Sequence, residues 1–177
     1  MRPEQKERIE PYLKGTTLVD LGAGSYANGL NVAKFFGAKN YVAVEPFFAD
    51  KLGNSMVEKT KREGMGSLEK MNLSYTDMLT FLKHLPSKLQ NISFLISGID
   101  AFIFGTNGIG AEPREKEAGN KYLKDVQAEL ARVCGDNCHV IRFESFGMPE
   151  ETFTIVESER IGDDPFLDIY KPIQNRE

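Results

Sequence analysis

The chain has 177 residues, of which 41% are hydrophobic and 27% charged, and its formal net charge at pH 7 is −4. These values are typical of one globular domain with a core large enough to fold alone, and they exclude a low-complexity or fibrous chain. The acidic balance gives no global attraction to nucleic acid, and the most apolar stretch, Ile92 to Phe104, is too short to cross a bilayer, so no membrane segment is expected.

Hydrophobic spacing in the first third of the chain predicts strands that alternate with helices. An amphipathic helix is expected over Pro3 to Lys14, followed by a short buried strand that ends at Leu21. Ala27 to Phe36 has helical spacing and is stopped by a glycine. A second strand is predicted at Asn40 to Glu45, and a polar helix then extends to about Gly64.

The middle of the chain continues the same alternation. A modest strand is predicted at Lys70 to Tyr75, followed by an N-cap at Thr76-Asp77 and a helix over Met78 to Leu85. Ile92 to Ser97 is the clearest buried strand, because it is largely apolar and β-branched. Gly105 to Gly119 is rich in glycine and charge and has no clear pattern, which is typical of a functional lid or a loop.

The last third predicts a helix over Asn120 to Val133, a fifth strand at Cys138 to Phe143, and two further strands at Thr152 to Val156 and Phe166 to Tyr170. No helix-length segment separates the last two strands, so they must pair as an antiparallel hairpin. The predicted fold is therefore α/β: a single domain with a Rossmann-like, doubly wound sheet of seven strands, mainly parallel, with a C-terminal antiparallel hairpin.

The turn after the first strand is the best candidate for a binding site. Gly22-Ala23-Gly24 joins that strand to a helix N-terminus, where backbone N–H groups and the positive end of the helix dipole would face a ligand. Glycine suits the turn because a Cβ would keep the ligand away from the backbone. Glu45 follows at about the 20-residue distance at which an acid can hold a ribose diol. The pattern predicts a nucleoside-cofactor site.

These motifs resemble those of the class I S-adenosylmethionine-dependent methyltransferases. Val19-Asp20-Leu21-Gly22-Ala23-Gly24-Ser25 is similar to the family's first motif, with its acid two residues before the first glycine. Val44-Glu45-Pro46 resembles the second motif, whose acid holds the ribose hydroxyls. Tyr75-Thr76-Asp77-Met78-Leu79 resembles the segment whose acid bonds the adenine amino group. The resemblance extends from Gly15 to Pro172 and implies S-adenosyl-L-methionine as the cofactor.

The resemblance and the chemistry of this cofactor together give a set of candidate cofactor-binding residues. Asp20 would attract the ammonium group directly or through water, and Phe47 or Met78 would cover the adenine. For Asp77, an ordinary helix cap is an equally good interpretation. The full set is Asp20, Gly22, Ala23, Gly24, Tyr26, Glu45, Pro46, Phe47, Asp77, Met78, Ser97 and Gly98.

Two alternatives to an active methyltransferase stay open. Tyr26 stands where the family often has a third glycine, so a domain that keeps the fold as a cofactor-binding or partner subunit, without catalysis, is one of them. The other is a nicotinamide-dependent dehydrogenase, because Gly22-x-Gly24-x-x-Ala27 also satisfies that fingerprint. Against it, a carboxylate at the position of Asp20 would repel a pyrophosphate.

The methyl acceptor is expected at the carboxyl end of the fourth strand. Ser97-Gly98-Ile99-Asp100 stands there, in place of the Asn/Asp-Pro-Pro-aromatic motif frequent in amino-group methyltransferases. Asp100 is the candidate catalytic base or acceptor anchor, and capping of the next helix is its other interpretation. A small-molecule acceptor is favoured over RNA or protein because the chain is acidic and has no recognition insert.

The cysteines and histidines do not predict a metal site. Cys134 and Cys138 form the single cysteine pair, and His84 and His139 lie far apart in the sequence. Two free thiols are expected, which is typical of a reducing cytoplasm. The sequence does not predict an oligomeric state.

Overall fold

The computed structural model describes residues 3–23, 27–46, 55, 58–59, 62, 64–96, 113–142, 148, 150–160 and 166–173. Its main helices are α1 (Pro3–Leu13), α2 (Ala27–Phe35), α3 (Met78–Lys83) and α4 (Pro113–Val133). Its strands are β1 (Thr17–Leu21), β2 (Asn40–Val44), β3 (Lys70–Ser74), β4 (Ile92–Ile96), β5 (Cys138–Arg142), β6 (Phe153–Arg160) and β7 (Phe166–Pro172).

The strands form one seven-stranded sheet in the order β3-β2-β1-β4-β5-β7-β6. Strands β1 to β5 are all parallel to one another, and β7 runs antiparallel to both β5 and β6. The predicted doubly wound, mainly parallel sheet with a C-terminal antiparallel hairpin is confirmed. The last strand of the chain lies between β5 and β6, so that β6 forms one edge of the sheet and β3 the other.

Two apolar layers cover the two faces of the sheet. On one face, Val19, Leu21 and Phe94 pack with side chains of α3 and α4. On the other face, residues of the alternate parity, such as Leu18 and Leu95, pack with α1 and α2. Because β1 and β4 are buried on both faces, their sequences are nearly continuous hydrophobic runs. This explains why these strands were the easiest to predict.

The helix predicted from Asn120 begins seven residues earlier, at Pro113, so part of the patternless segment Gly105 to Gly119 is helical. Proline is well suited to the first helical position, where its missing N–H costs no intrahelical bond. The added turns are rich in Glu, Lys and Arg, which favour helix without an apolar stripe. The expectation of a loop was wrong here because it depended on apolar periodicity alone.

The strand predicted at Thr152 to Val156 was also too short, because β6 continues to Arg160, which pairs with Phe166. The added residues are polar, yet Glu159 is buried. Arg8 of α1 forms ion pairs with Glu157 and Glu159. The polar half of β6 is therefore held by α1 through charge rather than by apolar packing, and hydrophobic alternation does not detect such a strand.

Among the described residues, no helix is long and apolar enough to span a membrane. Cys134 and Cys138 are both free and buried, at the end of α4 and the start of β5.

Candidate functional site

The carboxyl ends of β1 and its two neighbours define the candidate site. Leu21, the last residue of β1, pairs with Val44 on one side and with Ile96 on the other. The chain proceeds from β1 to β2 on one side and returns to β4 on the other side, so the strand order reverses at β1. In open α/β sheets, ligands bind in the crevice outside the strand ends at such a point.

The glycine turn begins with a backbone conformation that favours glycine. Gly22 has φ of 75°, which a residue with a Cβ adopts at a cost. The N–H groups of Gly22 and Ala23 both donate to the carbonyl oxygen of Val44, at 2.9 and 3.1 Å. These two amides therefore connect the turn to β2. Gly24 and Tyr26, the other predicted binding residues of the turn, lie outside the described residues.

Asp20 is the most buried acidic side chain near the site. It lies on the face covered by α1 and α2 and is only 1% exposed. Its Oδ2 accepts a hydrogen bond of 2.7 Å from the hydroxyl of Tyr41. Its Oδ1 is buried and has no hydrogen-bond partner within the described part of the chain. A buried carboxylate oxygen without a donor is costly, so this oxygen is a candidate acceptor for a ligand.

The environment of Asp20 disfavours its charged form. The pKa of the Asp20 carboxyl is raised to about 7, chiefly by burial and to a smaller extent by the negative charge of Glu45, and the hydrogen bond from Tyr41 opposes this rise. Asp20 therefore changes its charge near neutral pH. Perturbed carboxyl pKa values of this kind are typical of functional sites.

Glu45 lies immediately after β2, at the same edge of the sheet. Its backbone N–H donates to the carbonyl oxygen of Ser74, at 3.0 Å, and this bond continues the pairing of β2 with β3 beyond the last strand residue. Its side chain is partly buried, and that of Pro46 is exposed. Because Glu45 acts electrostatically on Asp20, the structure brings together the two acids that the sequence predicted on successive strands.

Asp77 is the N-cap of α3. Its Oδ1 accepts from the backbone N–H of Thr80, at 2.9 Å, and from the hydroxyl of Tyr122 on α4, at 3.3 Å. Burial raises the pKa of the Asp77 carboxyl, but the hydrogen bonds from Thr80 and Tyr122 outweigh it and hold that pKa below its usual value. Capping thus accounts for one oxygen of Asp77. Met78 is buried in the apolar layer beneath α3 and α4.

No protein-family model matches the chain, and no curated protein is similar to it in sequence. Solved structures do match. HI0767 of Haemophilus influenzae, a candidate methylase, is 14% identical over 97% of this chain and 87% of that chain, with a TM-score of 0.60. TrmK of M. capricolum, solved with S-adenosyl-homocysteine, is 12% identical over 97% and 69%, with a TM-score of 0.55. NSun6 of Pyrococcus horikoshii, solved with SFG, is 12% identical over 96% and 51%, with a TM-score of 0.64.

The chain has the class I methyltransferase fold. Similarity at these identities is a similarity of fold, and the strand order agrees with it. A dinucleotide-binding Rossmann sheet has the order 3-2-1-4-5-6, whereas here the antiparallel β7 separates β5 from β6. The sheet therefore agrees with the methyltransferase fold and differs from that of a dinucleotide-binding domain.

Several predicted residues of the methyltransferase site lie outside the described residues. These are the adenine-covering Phe47, the segment Ser97-Gly98 after β4, and the candidate base Asp100. Their roles stay predictions.

Sequence reasoning also missed three residues that contact the predicted acids. Tyr41 and Tyr122 donate to Asp20 and Asp77, and Gly29 of α2 lies against the Asp20 carboxylate. Tyr41 reads as an ordinary apolar residue of a buried strand, and Tyr122 as part of a helix face. Only the register of β1 with β2 and the packing of α4 on α3 place their hydroxyls beside carboxylates.

Proposed function

We propose that this chain is an S-adenosylmethionine-dependent methyltransferase. The observation that carries the proposal is the pair of acids at the switch point of the sheet. Asp20 offers a buried oxygen without a donor among the described residues, and Glu45, at the end of the neighbouring strand, is close enough to raise the Asp20 pKa. A cofactor with an ammonium group and a ribose diol has donors that two carboxylates in these positions can accept. The two free, buried thiols fit a cytoplasmic protein.

Each acid has a role in this proposal that its position supports. Asp20 binds the ammonium group through Oδ1, directly or through water, and Glu45 accepts from both ribose hydroxyls. Asp77 receives the adenine amino group on Oδ2, because its Oδ1 is used by the cap and by Tyr122. S-adenosylmethionine supplies the activated methyl group when bound. The chain aligns the acceptor with that group and excludes water.

The acceptor is proposed to be a small molecule rather than RNA or protein. The motivation is the net charge of −4, since binding to a nucleic-acid backbone relies on clusters of Lys and Arg. Asp100 remains the candidate base where the acceptor atom carries a proton. The preference for a small-molecule acceptor can be tested by incubating the protein with labelled S-adenosylmethionine and a panel of small acceptors. Pools of RNA and of peptides are tested in parallel. Labelling of RNA or peptide alone would reverse this preference.

Calorimetry with S-adenosyl-homocysteine tests the cofactor site. Replacing Glu45 with Ala should weaken binding by about 1.5–3 kcal/mol, or roughly 10- to 150-fold, if the carboxylate holds both hydroxyls. Glu69→Ala is the matched control. Glu69 is exposed and pairs with Lys39 just before β3, at the amino ends of the strands and away from the site. Removal of its carboxylate should therefore leave the affinity unchanged. Equal affinities of Glu45→Ala and wild type, or binding of NAD in place of S-adenosyl-homocysteine, would contradict the proposal.

A binding-competent but inactive domain is separated from an enzyme by turnover. Wild-type protein that binds S-adenosyl-homocysteine yet labels nothing in the acceptor panel would favour the cofactor-binding or partner-subunit alternative. Labelling of any acceptor, reduced by Glu45→Ala at limiting S-adenosylmethionine, would favour the enzyme.

A further inference from the structure

Tyr41 lies beside Asp20 because of the parallel register of β1 and β2. Leu18 pairs with Tyr41, and Asp20 pairs with Ala43. Side chains two residues apart in a strand share a face, so Tyr41 and Asp20 are diagonal neighbours on the face covered by α1 and α2. Tyr41 is fully buried, and its hydroxyl donates to Oδ2 of Asp20 at 2.7 Å. The hydrogen bond is thus made inside the apolar layer, where competition from water is absent.

Gly29 provides the space for this pair. It is the third residue of α2 and is buried. A Cβ at this position would overlap the Asp20 carboxylate and would lie 2.9 Å from the Tyr41 hydroxyl. The carboxylate therefore lies directly against the backbone of the first turn of α2. Glycine is less favourable than alanine within a helix, so the space for Asp20 is obtained at a cost to the stability of α2.

The other neighbours of Asp20 on this face do not supply a positive charge. Two titratable groups act on its carboxyl, namely Tyr41 on β2 and Glu45 just after β2. The flanking residues Leu95 of β4 and Leu30 of α2 belong to the apolar layer, as do Ile9 and Leu13 of α1. A charged Asp20 therefore has one hydroxyl donor and no cation among the described residues that surround it.

From this geometry we propose that Tyr41 is a positioning residue of the cofactor site: its hydroxyl holds Oδ2 of Asp20 in the space left by Gly29, which leaves Oδ1 to accept the ammonium group of the bound cofactor. The inference rests on the proposed function. It adds that Tyr41 acts on one part of the ligand only, the amino-acid end, and only through Asp20.

Two ligands separate this role from general packing. S-adenosyl-homocysteine carries the ammonium group, and 5′-methylthioadenosine has the same adenosine and sulfur without the amino-acid part. Both are titrated by calorimetry into wild type, Tyr41→Phe and Tyr12→Phe between pH 6 and 8.5. Tyr12→Phe is the matched control, because the Tyr12 side chain packs against the same apolar layer but its ring contacts that of His139, at the amino end of β5. Circular dichroism checks that each variant is folded.

The expected result is a ligand-specific and pH-dependent loss. Without the Tyr41 hydroxyl the carboxyl of Asp20 stays protonated to higher pH, so the rise of S-adenosyl-homocysteine affinity with pH should move upward by about one pH unit. At pH 7 this corresponds to roughly fivefold weaker binding, and the gap should close towards pH 8.5. Binding of 5′-methylthioadenosine should be the same in all three proteins.

The outcomes that overturn the inference differ from those that overturn the cofactor. If wild type binds S-adenosyl-homocysteine but Tyr41→Phe has the same affinity and pH profile, Tyr41 has no positioning role. An equal loss for both ligands, independent of pH, would make Tyr41 a packing residue only. If wild type binds neither ligand at any pH, the cofactor site itself fails, and the inference fails with it.

Discussion

Asp20→Asn removes a charge from the apolar layer beneath α2 and keeps the size of the side chain. Because the pKa of the Asp20 carboxyl is about 7 in the folded protein, against 3.8 for an unburied aspartate, the folded state binds more protons than the unfolded state between these values. Stability contributed by this group is therefore present below pH 4 and is lost as the pH rises towards 7. The asparagine side chain does not titrate. The free energy of unfolding of the variant should therefore increase relative to that of wild type as the pH rises over this range.

The size of the effect follows from the two pKa values. One pKa unit corresponds to about 1.4 kcal/mol. Relative to low pH, where Asp20 is protonated in both states, its raised pKa therefore lowers the free energy of unfolding by roughly 4 kcal/mol at pH 8 and by about 1 kcal/mol at pH 4.5. The asparagine amide keeps the hydrogen bond from Tyr41 but leaves a buried NH₂ group without a partner. This unpaired group costs about 1–3 kcal/mol and so reduces the gain in stability by that amount. We expect Asp20→Asn to be about 1–3 kcal/mol more stable than wild type at pH 8.

Urea denaturation followed by circular dichroism, in the absence of ligand, measures the difference at pH 4.5, 6, 7 and 8. The decisive quantity is the change in the difference between the two proteins, since other titrating groups cancel. It should shift by about 3 kcal/mol in favour of the variant between pH 4.5 and 8. A difference that stays constant over this range would show that Asp20 does not titrate as a buried carboxyl, and the description of the site would then be wrong.

Two further substitutions test the packing, one around the site and the other near the amino ends of β4 and β5. Tyr122→Phe removes the donor to Asp77 and the acceptor for the N–H of Leu79, and should lower the free energy of unfolding by about 1 kcal/mol in urea; no change would show that the α3–α4 contact does not depend on this hydroxyl. Gly135→Ala places a Cβ 2.6 Å from the carbonyl oxygen of Leu89 and 2.9 Å from that of Lys88. Since backbone cannot move aside cheaply, we expect a loss of about 1–3 kcal/mol and a lower Tm by calorimetry; an unchanged Tm would contradict this packing.

Much of the fold could be predicted from the sequence because its central strands are buried on both faces. Continuous apolar runs at β1, β2 and β4 gave strand positions within about one residue of those observed. The hairpin of the last two strands followed from the short connection between them. Its placement did not, because nothing in the sequence of β7 distinguishes a strand that pairs with β5 and β6 from one that forms an edge.

The positions of the two acids at the ends of neighbouring strands could be predicted from the sequence, but the residues that contact them could not. Asp20 and Glu45 follow from the motif and its spacing, and both lie at the switch point. That Asp77 also caps α3 was foreseen as an alternative. Tyr41 and Gly29 meet at Asp20 only because β2 has a particular register on β1 and because α2 approaches the sheet closely. Such contacts depend on tertiary packing, which local periodicity does not encode.

Three features around Asp20 each cost stability in the protein without ligand. Above about pH 7 the carboxyl is charged in an apolar layer, one of its oxygens has no donor within the described residues, and α2 carries a glycine in its first turn. An apolar residue at position 20 would avoid the first two costs, and alanine at position 29 would then avoid the third. A cation bound at Oδ1 would recover the cost of the charge, because the ammonium group would replace the missing donor and lower the carboxyl pKa. Binding should then release protons near neutral pH, and the stabilisation of the protein by S-adenosyl-homocysteine should grow between pH 6 and 8. In the proposed site, the same arrangement that costs stability in the protein without ligand would favour a ligand that carries positive charge at this one position.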